Sequence, residues 1–323
     1  MKIIKKKLIQ VDSIIKKREK LSDILNKKNK VLVCRNFGGL GDILNTRPLF
    51  KTIKSMDPQF HVTYAVPREY CVILEDHPYI DELIDCANVD FSQYGYIADI
   101  SSDCGRYENA MRPRVDKHRS DIWAEISLGI ELEDHDFQMR LDESLRFSLE
   151  SQYLSGLEFP RIAIFPRSAS SAKDLQDDVL VELIGLLRSD GLDPIVVHSQ
   201  DCFSDLGLRC ISGLNLKDYV HLVASFDYAI SVDTGAFHLT AALEIPCVGI
   251  FPWTDGKVLS KYHKKCVVVQ KHRDFGGPKE CPCWDWPSCP HHVKNTRQIP
   301  LKCMRDISAI EIKNAFDRLR GEA

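Results

Sequence analysis

From residue 31 onward the chain alternates short apolar runs with longer stretches in which apolar residues recur every three or four positions. The first run, Val31-Leu32-Val33-Cys34, leads into Arg35-Asn36-Phe37-Gly38-Gly39-Leu40-Gly41-Asp42 and then a helical spacing from Ile43 to Ser55. A strand over His61–Val66, a helix around Glu69–Glu75, a short apolar run at Glu82–Ile84 and a strand over Tyr96–Ile100 follow. Next comes a polar stretch rich in arginine (Arg106, Arg112, Arg114, Arg119). Around Ser151–Pro160 the pattern restarts. Strands are predicted at Arg161–Phe165, Pro194–His198, Asp227–Ser231 and Cys247–Phe251, with helices at Leu175–Arg188, Leu216–Ala224 and Ala236–Leu243. Such alternation predicts an α/β fold with parallel sheets covered on both faces. A loop-rich stretch then precedes a closing helix over Ile307–Leu319, capped by Ser308 or Asp306.

The 323 residues exceed what one core usually holds, so two doubly wound domains facing a cleft are expected. The expected division is a basic arm at 1–30, a first domain at 31–157, a second at 158–303 with a cysteine-rich loop at 271–303, and a terminal helix at 304–323. Hydrophobic residues make up 44% and charged residues 28%, which excludes disordered and collagen-like classes.

Charge changes the picture at one end. Residues 1–30 hold eleven Lys/Arg against Asp12, Glu19 and Asp23, a net +8 on a chain whose total is −3, leaving −11 elsewhere. Ile4, Leu8, Val11 and Ile15 recur at helical spacing within this arm. Three roles stay open for it: lying on an anionic membrane surface, contacting nucleic acid, or packing on the body with its lysines in water. No run of ~18 uncharged apolar residues is present, and the N-terminus lacks the pattern of a signal peptide. A cytoplasmic protein is therefore expected, with peripheral attachment at the inner membrane face through its arm left open. Its twelve cysteines should be free thiols or metal ligands.

Two loops carry candidate chemistry. Gly38-Gly39-Leu40-Gly41 follows a strand and opens a helix, where backbone N–H groups favour an anion. Its spacing is not that of a dinucleotide loop, and the second strand ends Ala65-Val66-Pro67 with no acidic residue for a ribose, which argues against a nicotinamide enzyme. Asp42 sits in the first helical turn, where a carboxylate is stabilised and could accept a proton from a hydroxyl. The second loop is Ser231-Val232-Asp233-Thr234-Gly235-Ala236-Phe237-His238. Asp233 or Thr234 could be only an N-cap. Alternatively, the amides at Thr234, Gly235 and Ala236 could hold a diphosphate, with His238 one turn further on.

These two motifs, in this order, resemble glycosyltransferase family 9, the ADP-heptose:lipopolysaccharide heptosyltransferase-like family of GT-B fold. The resemblance runs from Val31 to the end, about nine-tenths of the chain. It implies an inverting, metal-independent transfer of a sugar from a nucleotide-diphosphate sugar, with heptose from ADP-heptose as the expected donor. It places the base on Asp42 and the cation that neutralises the leaving diphosphate on Lys173. Gly39, Gly41, Ser231, Asp233, Thr234, Gly235, Ala236 and His238 would hold the donor, with Arg167 and Gln200 also on the donor side. Two segments depart from the family pattern: Leu175-Gln176 after the lysine, and Phe251-Pro252-Trp253-Thr254 after the last strand.

Arg106, Arg112 and His118 lie where GT-B proteins receive the acceptor and could meet an acidic one; ion pairs with neighbouring acids are the alternative. The acceptor could be a saccharide or lipid-linked saccharide, a protein, or a modified DNA base. A catalytically silent GT-B binding or assembly module, and a homo-oligomer, also remain open. Cys281, Cys283, Cys289 and Cys303 could bind a structural zinc or iron, or simply pack as thiols. No cofactor is expected for the chemistry.

Overall fold

The computed structural model describes Leu21, residues 29–271, Trp284 and residues 302–321. The basic arm expected at 1–30 lies almost wholly outside the described residues, as does most of the cysteine-rich loop. Contacts divide the chain into two units, Met1–Arg140 and Leu141–Ala323.

In the first unit β1 (Lys30–Cys34) runs into α1 (Leu40–Leu44) and α2 (Arg47–Met56). Then come β2 (His61–Val66), α3 (Arg68–Cys71), β3 (Glu82–Asp85) and β4 (Tyr96–Asp99). The single helix expected over Ile43–Ser55 is broken in two. Pro48 explains the break, because it has no N–H to give to the Leu44 carbonyl one turn back and its ring crowds that oxygen. The strands form one parallel sheet in the order β3-β2-β1-β4. Strand order therefore reverses between β1 and β4, and ligands of open α/β sheets bind outside the carboxyl ends of strands at such a point. The glycine loop and Asp42 leave β1 there.

The arginine-rich stretch is helical, which its polarity concealed. It forms α4 (Asp103–Met111) and α5 (Arg119–Ile122), the latter continuing into a wider π-helical turn over Trp123–Leu128. On α4, Cys104, Tyr107 and Ala110, spaced three apart, are buried together with Asp103 among charged neighbours. The next helix, α6 (Glu143–Tyr153), belongs to the second unit and sets the division upstream of the boundary expected at 157. The Asp142 N–H just before it donates to His221 Nε2 at 3.1 Å, and Glu150 pairs with Arg161 at 2.6 Å.

The second unit continues with β5 (Ile162–Phe165), α7 (Asp177–Ser189), β6 (Ile195–Val197), β7 (Cys210–Ile211) and α8 (Leu216–Val223). After these come β8 (Tyr228–Val232), α9 (Gly235–Ala242), β9 (Cys247–Ile250), α10 (Gly256–Leu259), β10 (Cys266–Val269), α11 (Lys302–Arg305) and α12 (Ala309–Gly321). Six parallel strands are ordered β10-β9-β8-β5-β6-β7, so this sheet reverses between β5 and β8. The loops that leave those two strands carry Lys173 and Asp233.

The core of this unit lies where α7 and α12 cover the sheet. Leu180, Leu183, Ile184 and Leu187 on α7, and Ile312, Ala315, Phe316 and Leu319 on α12, are buried at helical spacing against Ile162, Ile164 and Ile230. Each such Leu, Ile or Phe contributes roughly 1.5–3 kcal/mol by leaving water. Ser308, one of the two expected caps, closes the start of α12 reciprocally. Its Oγ accepts the Glu311 N–H at 3.4 Å, while Glu311 Oε2 accepts the Ser308 N–H at 2.9 Å.

Candidate functional site

In the first unit the chain leaving β1 must turn sharply, and the turn is built around two charges. Gly38 has φ +128°, and a Cβ there would lie 2.6 Å from Arg35 Nη2 and 2.9 Å from Asp42 Oδ2. Only glycine fits on both counts. Gly39 donates its N–H to Asp42 Oδ2 at 3.1 Å, and nothing lies near where its own side chain would be. Gly41 is buried inside α1. The Asn36 N–H donates to Ser101 Oγ at 2.8 Å, which ties the loop to the end of β4. Beside it, burial pushes the Cys34 thiol up to about 11, so it is a packed, inert thiol.

Asp42 is engaged by two guanidinium groups. Arg35 Nη2 stands 3.3 Å from Oδ2, and Arg119 Nη1 donates to Oδ1 at 3.0 Å. Arg119 also donates through Nε to Glu108 at 2.9 Å. Arg35 is 3% exposed and lies over the Trp123 ring at 4.6 Å. Arg35 and Trp123 escaped sequence reasoning, and Arg119 was visible only as one member of an arginine-rich run.

The residues expected on the acceptor side have these contacts. Arg106 is exposed and pairs with Asp103 at 3.5 Å. Arg112 ends α4, donating its N–H to the Glu108 carbonyl at 2.9 Å. His118 is buried and caps α5, its Nδ1 accepting the Ser120 N–H at 3.3 Å, with its ring edge-on to Phe137. None of these three contacts to Asp103, Glu108 or Ser120 brings its residue to Asp42; Arg119 is the member of the stretch that reaches it.

In the second unit β8 ends at Val232, and Asp233 is pinned by its N–H to the Ile250 carbonyl at 2.9 Å. Thr234 is extended and starts α9, its own side chain making no cap hydrogen bond. Lys173, from the loop after β5, is brought to that end. Its Nζ donates to the Asp233 carbonyl at 2.9 Å, pairs with Asp233 Oδ2 at 3.2 Å and lies 5.4 Å from the centre of the Trp253 ring. Thr254 Oγ1 donates to the same carboxylate at 2.7 Å. The segment that departs from the family pattern, Trp253-Thr254, thus holds the lysine and its partner.

The other donor-side residues divide. Gly235 and Ala236 form the first turn of α9, and His238 sits one turn in, buried, with its ring edge-on to Phe237. The Ser231 side chain is wholly buried, and its hydroxyl donates to the Val232 carbonyl at 2.8 Å. Gly249 lets α9 press on β9, because a Cβ there would come within 2.7 Å of both Phe237 and Phe251. Arg167 is held by the Leu175 carbonyl and the Asp177 carboxylate and lies over Phe203 at 5.0 Å. The Gln200 N–H donates to His198 Nδ1 at 3.2 Å, so the tip after β6 folds on itself. Next to Lys173, burial raises the Asp174 carboxyl although it accepts the Ser168 N–H at 2.8 Å. Cys281, Cys283 and Cys289 lie outside the described residues; Cys303 is buried in α11.

Comparison with known proteins points one way. Residues 106–280 match the model of "Glycosyltransferase family 9 (heptosyltransferase)". Lipopolysaccharide heptosyltransferase 1 of Escherichia coli is 28% identical over 102 residues, a stretch that spans 32% of that relative's length. Among solved structures, the glycosyltransferase family 9 protein of Veillonella parvula superposes with a TM-score of 0.68 at 15% identity, covering 91% of this chain and 98% of that one. The E. coli ADP-heptose lipopolysaccharide heptosyltransferase II gives 0.65 at 15% identity, covering 91% and 100%. The dodecameric iron-containing heptosyltransferase TibC, solved with ADP-D-β-D-heptose, gives 0.68 at 17% identity, covering 92% and 79%. At these identities the structures show a shared fold, GT-B.

Proposed function

The chain belongs to glycosyltransferase family 9, and on that premise we propose that it transfers a heptose from ADP-heptose to an acceptor hydroxyl. Inversion at the sugar carbon is part of the proposal. The observation that carries it is Lys173, held by Asp233 and Trp253 at the start of α9. A fixed ammonium beside a helix N-terminus is suited to a diphosphate, and TibC was solved with an ADP-heptose.

Asp42 takes the proton of the acceptor hydroxyl, whose oxygen attacks the anomeric carbon from the face opposite the diphosphate. The bond from that carbon to the β-phosphate oxygen breaks, and its electron pair leaves with ADP. Lys173 and the first amides of α9 balance the charge that develops there. Arg167, locked against Asp177, lines the same edge of the sheet and would face the nucleoside end of the donor. Since a protein cation does the neutralising, the step needs no metal. A saccharide, a lipid-linked saccharide or a protein would supply the hydroxyl.

ADP release from ADP-heptose tests this against a panel of lipopolysaccharide core saccharides and peptides. Asp42→Asn should cost about 10²–10⁴-fold in kcat, the range expected for a general base. Turnover by Asp42→Asn equal to wild type across the panel would remove Asp42 from the chemistry. We also propose Cys281, Cys283, Cys289 and Cys303 as the place for a structural metal, a reading supported by the iron-containing neighbour TibC. Its measure is iron or zinc per chain, lost in Cys281→Ser; purified wild-type protein that melts normally without either metal argues for plain thiols.

A further inference from the structure

A base needs only a carboxylate, yet Asp42 stands inside a set of four charges. Arg35 and Arg119 flank it, and Glu108 holds Arg119 from the far side. We propose that Arg35 and Arg119 are positioning residues for Asp42, with Glu108 fixing Arg119 in turn. The inference rests on Asp42 being the base and deepens that reading.

Three observations bear on Arg35. It is buried and stacked on Trp123, so its guanidinium plane is set by the π-helical turn beneath it. The glycine at position 38 is required by the contact itself, since a Cβ would strike both Arg35 and Asp42. Its Nε and Nη1 have no hydrogen-bond partner among the described residues, which is a costly condition for a buried cation. A chain that folds around such a cost is holding that guanidinium against Asp42 for something other than stability. Arg119 acts on the other oxygen, so Oδ1 and Oδ2 are each held from a different element: Oδ1 from α5, and Oδ2 from the end of β1 and the Gly39 amide.

The charges also set when Asp42 can take a proton. Groups near it include Arg35 from the end of β1, Tyr64 from β2, Tyr70 from α3, Cys104 from α4 and Arg119 from α5, with Glu108 of α4 on the far side of Arg119. Burial raises Tyr64, Tyr70 and Cys104, so these stay neutral near pH 7. The two arginines and, behind Arg119, Glu108 carry charge beside it. With Asp42 ionised the set of four is balanced; with Asp42 protonated it carries an extra positive charge, which drives the proton off again and resets the base.

The test is a carbon-13 NMR titration of aspartate-labelled full-length protein, with the Asp42 carboxyl assigned by its loss in Asp42→Asn. Arg119→Gln should move its midpoint up by roughly one pH unit or more, the size expected when an adjacent opposite charge is removed. Arg119→Lys should recover most of that shift, and Arg35→Lys should recover charge without the stacked geometry. The acid limb of kcat/KM for ADP release from ADP-heptose should move with the midpoint, while KM for the donor stays put. A midpoint unmoved in Arg119→Gln, in protein whose melting is native, overturns the inference. Full activity of Asp42→Asn would instead sink the base reading and leave the titration result standing, so the two failures are distinguishable.

Discussion

Lys173 Nζ lies 2.9 Å from the backbone carbonyl of Asp233 and 3.2 Å from its carboxylate, so one residue at the end of β8 holds the lysine by main chain and side chain together. Asp233 is 5% exposed and also accepts from Thr254. Its carboxylate places a cation beside the start of α9, and in the proposed reaction it is the lysine that would present charge to a phosphate.

That arrangement orders the expected effects of substitution. Lys173→Ala should lower kcat by about 10²–10³-fold, the usual loss when a fixed donor to developing charge is removed. Asp233→Asn keeps the carbonyl contact and the Thr254 partner but removes the ion pair, so it should cost less. Steady-state kinetics on ADP-heptose check this. An Asp233→Asn loss larger than that of Lys173→Ala would mean the carboxylate touches substrate itself.

Neighbouring glycines in the first loop should behave oppositely. Gly38→Ala forces a side chain into φ +128° and into contact with Arg35 and Asp42. Strain of this kind costs on the order of 1–3 kcal/mol. Gly39→Ala meets nothing within 4 Å and should leave stability within about 0.5 kcal/mol of wild type. Urea unfolding midpoints would compare them, and equal midpoints would contradict the loop geometry.

His77 ties stability to pH. It is buried, its Nε2–H donates to the Arg47 carbonyl at 3.1 Å, and burial followed by the Arg47 charge lowers its pKa to about 4. A histidine lowered from 6.5 must be neutral in the fold, so its contribution is fully present above pH 6.5 and is lost as pH falls toward 4. The whole window is worth on the order of 3 kcal/mol. His263 is lowered the same way, first by burial and then by the charge of His238, and adds to the slope. Chemical denaturation at pH 7 and pH 5 should show wild type weakening and His77→Gln, though less stable at pH 7, weakening less. Parallel losses in the two proteins would rule His77 out as the source.

Much of the strand pattern was legible because strands buried on both faces are continuous apolar runs: His61–Val66 and Cys247–Ile250 stand out from their neighbours. Helices α4 and α6 were not, because each buries one narrow face among charged residues, Leu149 being the single buried residue of α6. The short strand Cys210–Ile211 has too few residues to show alternation. At the sites, glycine spacing and helix starts marked Asp42 and Asp233, since those signals are local in sequence. Arg35 and Arg119 converge on Asp42 from two elements, with Glu108 on a third holding Arg119, and only the fold brings them together. Trp253 and Thr254 looked like departures from a pattern; they are what holds Lys173 and Asp233.

Direct binding of ADP-heptose, followed by isothermal titration calorimetry without any acceptor, tests the donor site most simply. Wild type and Asp42→Asn should bind alike, with Kd on the order of 1 μM–1 mM as for typical enzyme substrates, and Lys173→Ala should bind at least ~10-fold more weakly. Equal binding by wild type and Lys173→Ala, or none by wild type, would contradict the account.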